Sequence, residues 1–70
     1  MKGLSYSSLR VGQRYWLKNF GERFDFEILE ILHPGEFLLK DINTLEKYYM
    51  SELTKYGKGN DFEIREMSGK

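Results

Sequence analysis

Apolar side chains recur mostly at every second position of this chain, in short runs cut apart by glycine, proline and asparagine. Period two is the spacing of a pleated strand, whose successive side chains point to opposite faces. The runs are rich in Val, Ile, Phe, Tyr and Trp, residues that pack well on such a surface. The pattern predicts an all-β protein.

The first run covers residues 13–20. Val11, Tyr15 and Leu17 share one face; Arg14, Trp16, Lys18 and Phe20 share the other. Asn19-Phe20-Gly21-Glu22 reads as a turn. In the second run, residues 23–32, Phe24, Phe26 and Ile28 share a face, but Leu29 and Ile31 share the opposite one. Such a change of phase predicts a β-bulge or bend near Ile28-Leu29. His33-Pro34-Gly35 is a turn signal, because Pro presets φ and Gly tolerates positive φ. Residues 36–42 and 45–50 form a hairpin about Asn43-Thr44. That register sets Phe37 against Met50, Leu39 against Tyr48, Leu38 against Tyr49, Lys40 against Lys47 and Ile42 against Leu45. Residues 51–56 read as one helical turn, capped by Ser51 and ended by Gly57. Residues 61–66 alternate again, with Phe62 and Ile64 inward.

The chain has seventy residues and no cysteine. One domain is all that this length supports, and disulfides and thiolate metal sites are excluded. A single histidine makes no zinc site. The core must therefore stabilise the fold, and aromatic residues at 16% of the chain supply it. We divide the chain into an N-terminal segment (1–8), a barrel (9–67) and a tail (68–70). The N-terminus has no signal-peptide pattern, and no apolar run approaches a bilayer's thickness. The expectation is a cytoplasmic protein with no membrane association and no cofactor.

Three stretches carry a family resemblance. Leu9-Arg10-Val11-Gly12-Gln13-Arg14-Tyr15 resembles the lead-in to the first strand of SH3-like barrels, in the broad sense that includes Tudor-type and KOW-type domains. Residues 37–41 with 44–50 resemble their central hairpin. Residues 51–56 resemble the short turn before their last strand. The resemblance implies a small five-stranded antiparallel SH3-like barrel with one short helical turn before the last strand. It says little about function.

No catalytic constellation emerges. A nucleophile needs a base within reach, and His33 sits in a turn before Pro34. Carboxylate pairs such as Asp25 with Glu27, or Glu63 with Glu66, fit solvated strand faces better than a water-poor cleft. An enzyme is not expected.

Three surfaces are candidates for partner binding. Trp16 between Arg14 and Lys18 suits base stacking or a protein hot spot. The alternative is that Trp16 packs under Leu4 and Tyr6, or against Phe20. Tyr56 and Lys58, with Lys55, form a cationic aromatic loop, or simply a helix stop. Leu38, Ile42, Leu45 and Tyr49 form an outward apolar stripe, unless the register is shifted by one.

Eleven basic residues balance eleven acidic ones. Residues 1–23 carry five basic and one acidic, residues 24–46 one and six, and residues 47–70 five and four. A neutral domain lacks the basic footprint of a dedicated nucleic-acid binder. The expectation is a non-catalytic binding module for a protein partner, including a second copy of itself. The alternative is a nucleic-acid-binding barrel around Trp16.

Overall fold

The computed structural model describes residues 2–3 and 6–67. The expected contact with Leu4 and the tail at 68–70 lie outside the described residues. One sheet contains β1 (Lys2–Gly3), β2 (Arg14–Asn19), β3 (Glu22–His33), β4 (Glu36–Asp41), β5 (Lys47–Tyr49) and β6 (Glu63–Glu66), in the order β1-β6-β2-β3-β4-β5. A 3-10 turn at Tyr6–Ser8 precedes β2, and a short helix, α1 (Met50–Leu53), stands between β5 and β6. β2 to β6 pair antiparallel, as the alternation predicts. β1 is a sixth strand that the alternation does not reveal, since two residues show no period. It runs parallel to β6, with Lys2 opposite Glu63 and Gly3 opposite Ile64. Among the described residues β1 and β5 are edges, so the sheet does not close. Its extents of 28 × 27 × 23 Å are nearly isotropic, compatible with a small barrel-like fold.

The turns follow from their residues. Phe20 (φ 51°) and Gly21 (φ 78°) join β2 to β3 as a two-residue turn with both φ values positive. That sign matches the right-handed twist of the flanking strands. Pro34 and Gly35 (φ 89°) join β3 to β4. The bulge falls where the phase change places it: pairing shifts between Ile28 and Glu30, and again between Ile31 and His33.

The β4–β5 register also agrees, with Leu38 opposite Tyr49, Leu39 opposite Tyr48 and Lys40 opposite Lys47. Glu27 flanks Lys40 on its other side and offsets the like charges. The ends of this hairpin differ from expectation. The turn takes four residues, because the Asp41 carboxylate accepts the Asn43 and Thr44 N–H groups at 2.7 and 2.9 Å. Leu45 N–H then closes onto the Asp41 carbonyl at 2.8 Å. Ile42 and Leu45 thus lie in a loop rather than paired in a ladder, and Met50 opens α1 instead of pairing with Phe37.

The core holds Tyr15, Leu17, Phe26, Ile28, Phe37, Leu39 and Ile64 from the strands, with Leu9, Met50 and Phe62 from the connections. Val11 does not join Tyr15 and Leu17; it precedes the turn at Gly12 (φ 88°) and is exposed. Ser51 does not cap α1. Its hydroxyl and its N–H both donate to the Glu36 carboxylate, and Glu52 accepts the N–H of Tyr49. Gly57 ends the turn at φ 92°, as expected.

The Asp61 carboxylate holds the β2–β3 turn, accepting the Gly21 N–H at 2.8 Å and the Phe20 N–H at 2.9 Å. The Gly21 N–H is the main cause of a pKa lowered below the ordinary Asp value. Asp41 is lowered in the same way, first by the Thr44 N–H and then by that of Asn43. A carboxylate with a lowered folded pKa contributes stability that is present above its unfolded value, near 3.9, and is lost as pH falls through the folded value. Urea midpoints are therefore expected to change little between about pH 7 and 5 and to drop below about pH 4. The drop should be shallower in Asp61→Asn. An equally steep acid limb in that variant would show that the turn does not hold the proton linkage.

Candidate functional site

The inward row of β3 begins at Phe24, opposite Leu17. Phe26 and Ile28 are buried, but Phe24 remains half-buried at the edge of the core. Tyr48 on β5 and Leu53 of α1 pack against that same core and are also half-buried. A cleft opens between them. One lobe, about 450 Å³, lies between the β2–β3 turn and α1 and is walled by Phe20, Phe24, Leu53 and Tyr56. The adjoining lobe, about 500 Å³, reaches Tyr48 and the β4–β5 loop. Glu22, Glu52 and Lys55 border both.

Asn19 holds one wall of this cleft in place. By alternation it follows Tyr15 and Leu17 inward, and it is the one buried polar residue among those described. Its Nδ2 donates to the Leu53 and Gly57 carbonyls, both at 3.1 Å. Its Oδ1 accepts the Gly59 N–H at 2.8 Å. Three bonds therefore tie the segment after α1 to the end of β2. Gly59 lets the Phe20 ring lie against it, since a Cβ there would meet ring carbons at 3.0 Å.

The Tyr48 hydroxyl is buried without a hydrogen-bond partner. Burial, then the carboxylates of Asp41 and Asp25, push its pKa up to about 12. It therefore stays protonated at neutral pH.

The candidates from the sequence lie mostly elsewhere. Arg14, Trp16 and Lys18 share the outer face of β2, with Asp25 and Arg65 on either side of Trp16. Trp16 is half-buried, with the Arg23 guanidinium 4.9 Å from its ring centre. The cations of this face are largely matched: Arg14 with Glu27, Arg23 with Asp25 and Arg65 with Glu63. Asp25, Glu27 and Glu63 are thus ion-paired, and Glu66 accepts from Gln13. Leu38 and Tyr49 sit side by side on the outer face across β4 and β5. Leu45 is exposed in its loop and Ile42 half-buried, so the stripe is shorter than its four residues imply. Lys58 serves packing, with its ammonium 4.7 Å from the Tyr6 ring centre and 4.9 Å from that of Phe62. Of these candidates Tyr56, 81% exposed, and Lys55 reach the cleft.

Phe20, Phe24, Leu53 and the acidic border escaped sequence reasoning. A signal was present for Phe20. A bulky apolar residue at a positive-φ turn position cannot fold back into its own sheet.

A second concavity of about 450 Å³ lies beside the β3–β4 turn, between Tyr6, Leu9, Ile31, Pro34 and Phe37. No charged residue lines it. Among the described residues no cluster of His, Cys, Asp or Glu is placed to hold a metal ion. No helix among them is long and apolar enough to cross a membrane. No protein-family model matches the chain, and searches of curated proteins and of solved structures found no match.

Proposed function

We propose that this chain is a non-catalytic binding module for a protein partner, and that it holds an extended segment of that partner in the aromatic cleft between the β2–β3 turn and α1. The observation that carries the reading is the cleft itself, with apolar rings on its walls and charges at its border. Binding sites combine these features: apolar area for affinity and a few polar groups for orientation. The strand order β6-β2-β3-β4-β5 supports the resemblance to SH3-like barrels.

Backbone strain supports the same end of the molecule. Among the described residues, Phe20 and Leu45 are the non-glycine residues with positive φ, at 51° and 66°, and both are bulky, apolar and more than half exposed. That conformation costs roughly 1–2 kcal/mol per residue. Glycine or asparagine would avoid the cost, so the side chains themselves are the reason to read a contact surface here.

The nucleic-acid reading has less behind it. Three of the four cations on the Trp16 face are ion-paired, and the guanidinium of Arg23 lies over the Trp16 ring. A phosphate backbone would have to displace those carboxylates.

Panning a random-peptide display library against the protein tests the proposal. Wild type is expected to enrich a common sequence, and Tyr56→Ala to lose at least about 80% of its binding while keeping its far-UV spectrum. Enrichment that survives Tyr56→Ala but vanishes in Trp16→Ala would contradict it.

A further inference from the structure

Carboxylates outnumber cations around the cleft. Glu22, Asp41, Glu46 and Glu52 border its two lobes, against Lys47 and Lys55. Asp41 is occupied by its own loop and Glu52 accepts from Tyr49. Among the described residues, the Glu22 and Glu46 side chains enter no ion pair or hydrogen bond. Of the two lysines, Lys55 already stands over the Tyr56 ring, 5.3 Å from its centre. The field at the Tyr48 lobe is negative as well, since beyond burial the Asp41 and Asp25 carboxylates both push the pKa of the Tyr48 hydroxyl upward.

Aromatic faces attract cations through the ring quadrupole, and a nearby carboxylate adds to that attraction. The fold uses this contact elsewhere: Arg23 lies over Trp16, and Lys58 lies between Tyr6 and Phe62. The cleft offers rings with carboxylates beside them and a deficit of positive charge.

Resting on the reading of this cleft as the protein-binding site, we infer that the segment it takes is basic: an extended peptide whose lysine or arginine side chain lies over the cleft's aromatic wall within reach of Glu22 and Glu46. The occupant is a partner with a positively charged, unstructured stretch. A second copy of this chain fits less well, because a neutral protein brings its own carboxylates to the contact. The free Glu22 and Glu46 carboxylates set the preference, and the rings supply area to any extended chain.

Three capped peptides separate these contributions: alanine alternating with lysine, with glutamine or with glutamate. Affinity is measured by isothermal titration at low and at physiological salt, and the contact is located by amide shifts. The lysine peptide is expected to bind at least about five-fold more tightly than the glutamine peptide, and the glutamate peptide more weakly than either. Its advantage should shrink with salt. The Glu22→Gln/Glu46→Gln double variant should lose about five-fold for lysine and nothing for glutamine. Neither substitution removes a hydrogen bond of the fold. Equal binding of all three peptides in the cleft would overturn the basic preference and leave the protein-binding reading standing. If no peptide moves the cleft amides, both fall.

Discussion

Replacing Asn19 by alanine is expected to destabilise the protein by about 3 kcal/mol, an unusually large effect for a polar side chain. The substitution removes three hydrogen bonds at a residue only 2% exposed. It leaves the Leu53 and Gly57 carbonyls and the Gly59 N–H without the partner that holds them, and a buried unsatisfied group costs about 1–3 kcal/mol. The loss is local in origin, because these bonds fasten the end of β2 to Leu53 and the segment following α1. Hydrogen exchange is therefore expected to quicken first at the Gly59 amide. Asn19→Asp keeps the shape but presents a carboxylate to two carbonyl oxygens, so at neutral pH it should be no milder. A midpoint within about 0.5 kcal/mol of wild type for either variant would show that the cleft wall stands without this residue.

Phe26→Ala should cost still more, about 3–5 kcal/mol. Phe26 is fully buried at the centre of β3, beside Tyr15 at 6.3 Å between ring centres. A chain of this size has a total stability of roughly 4–10 kcal/mol, so the substitution should remove about a third of it or more. Tyr56→Ala is the contrast. That ring is 81% exposed, and its removal should change stability by less than about 0.5 kcal/mol. Urea unfolding followed by far-UV circular dichroism reads both. Similar midpoints for Phe26→Ala and Tyr56→Ala would mean that the assigned core is not the core.

Much of this fold is legible in the sequence because strand physics is local. The switch from Ile28 to Leu29 marks the bulge, since one extra residue moves every later side chain to the other face. The register of Leu38 with Tyr49 follows from burying Leu39 and Tyr48 together. What stays hidden depends on partners distant in the chain. Asn19 has the pattern of an inward position, but its donors and acceptors are answered by residues 53–59, which alternation does not place. Asp61 reads as the start of a strand until the Phe20 and Gly21 amides are seen to need it. Ser51 has the residue type of a cap, yet the Glu36 carboxylate across the sheet competes for it.

The candidate site was less legible than the fold for the same reason. Trp16 attracts attention as an aromatic between two cations, but its neighbours across the ladder, Asp25 and Arg65, come from two other strands. Asp25 and Glu27 on β3 and Glu63 on β6 supply the opposite charges that satisfy that face. The cleft, in contrast, is assembled from a turn, the beginning of β3, the β4–β5 loop, two residues of β5 and a helix with the segment after it. No single stretch of sequence contains enough of it to be noticed. Tyr56 was visible because it stands out as a lone aromatic in a polar loop.

The most direct test of the account is an amide chemical-shift map of the labelled protein, recorded once with a library-selected peptide and once with a single-stranded oligonucleotide. The peptide is expected to move residues 20–24 and 53–56, saturably and at one stoichiometric site, and the oligonucleotide to move nothing comparable. Shifts centred on residues 14–18 and 63–66, produced by the oligonucleotide and lost with salt, would contradict it.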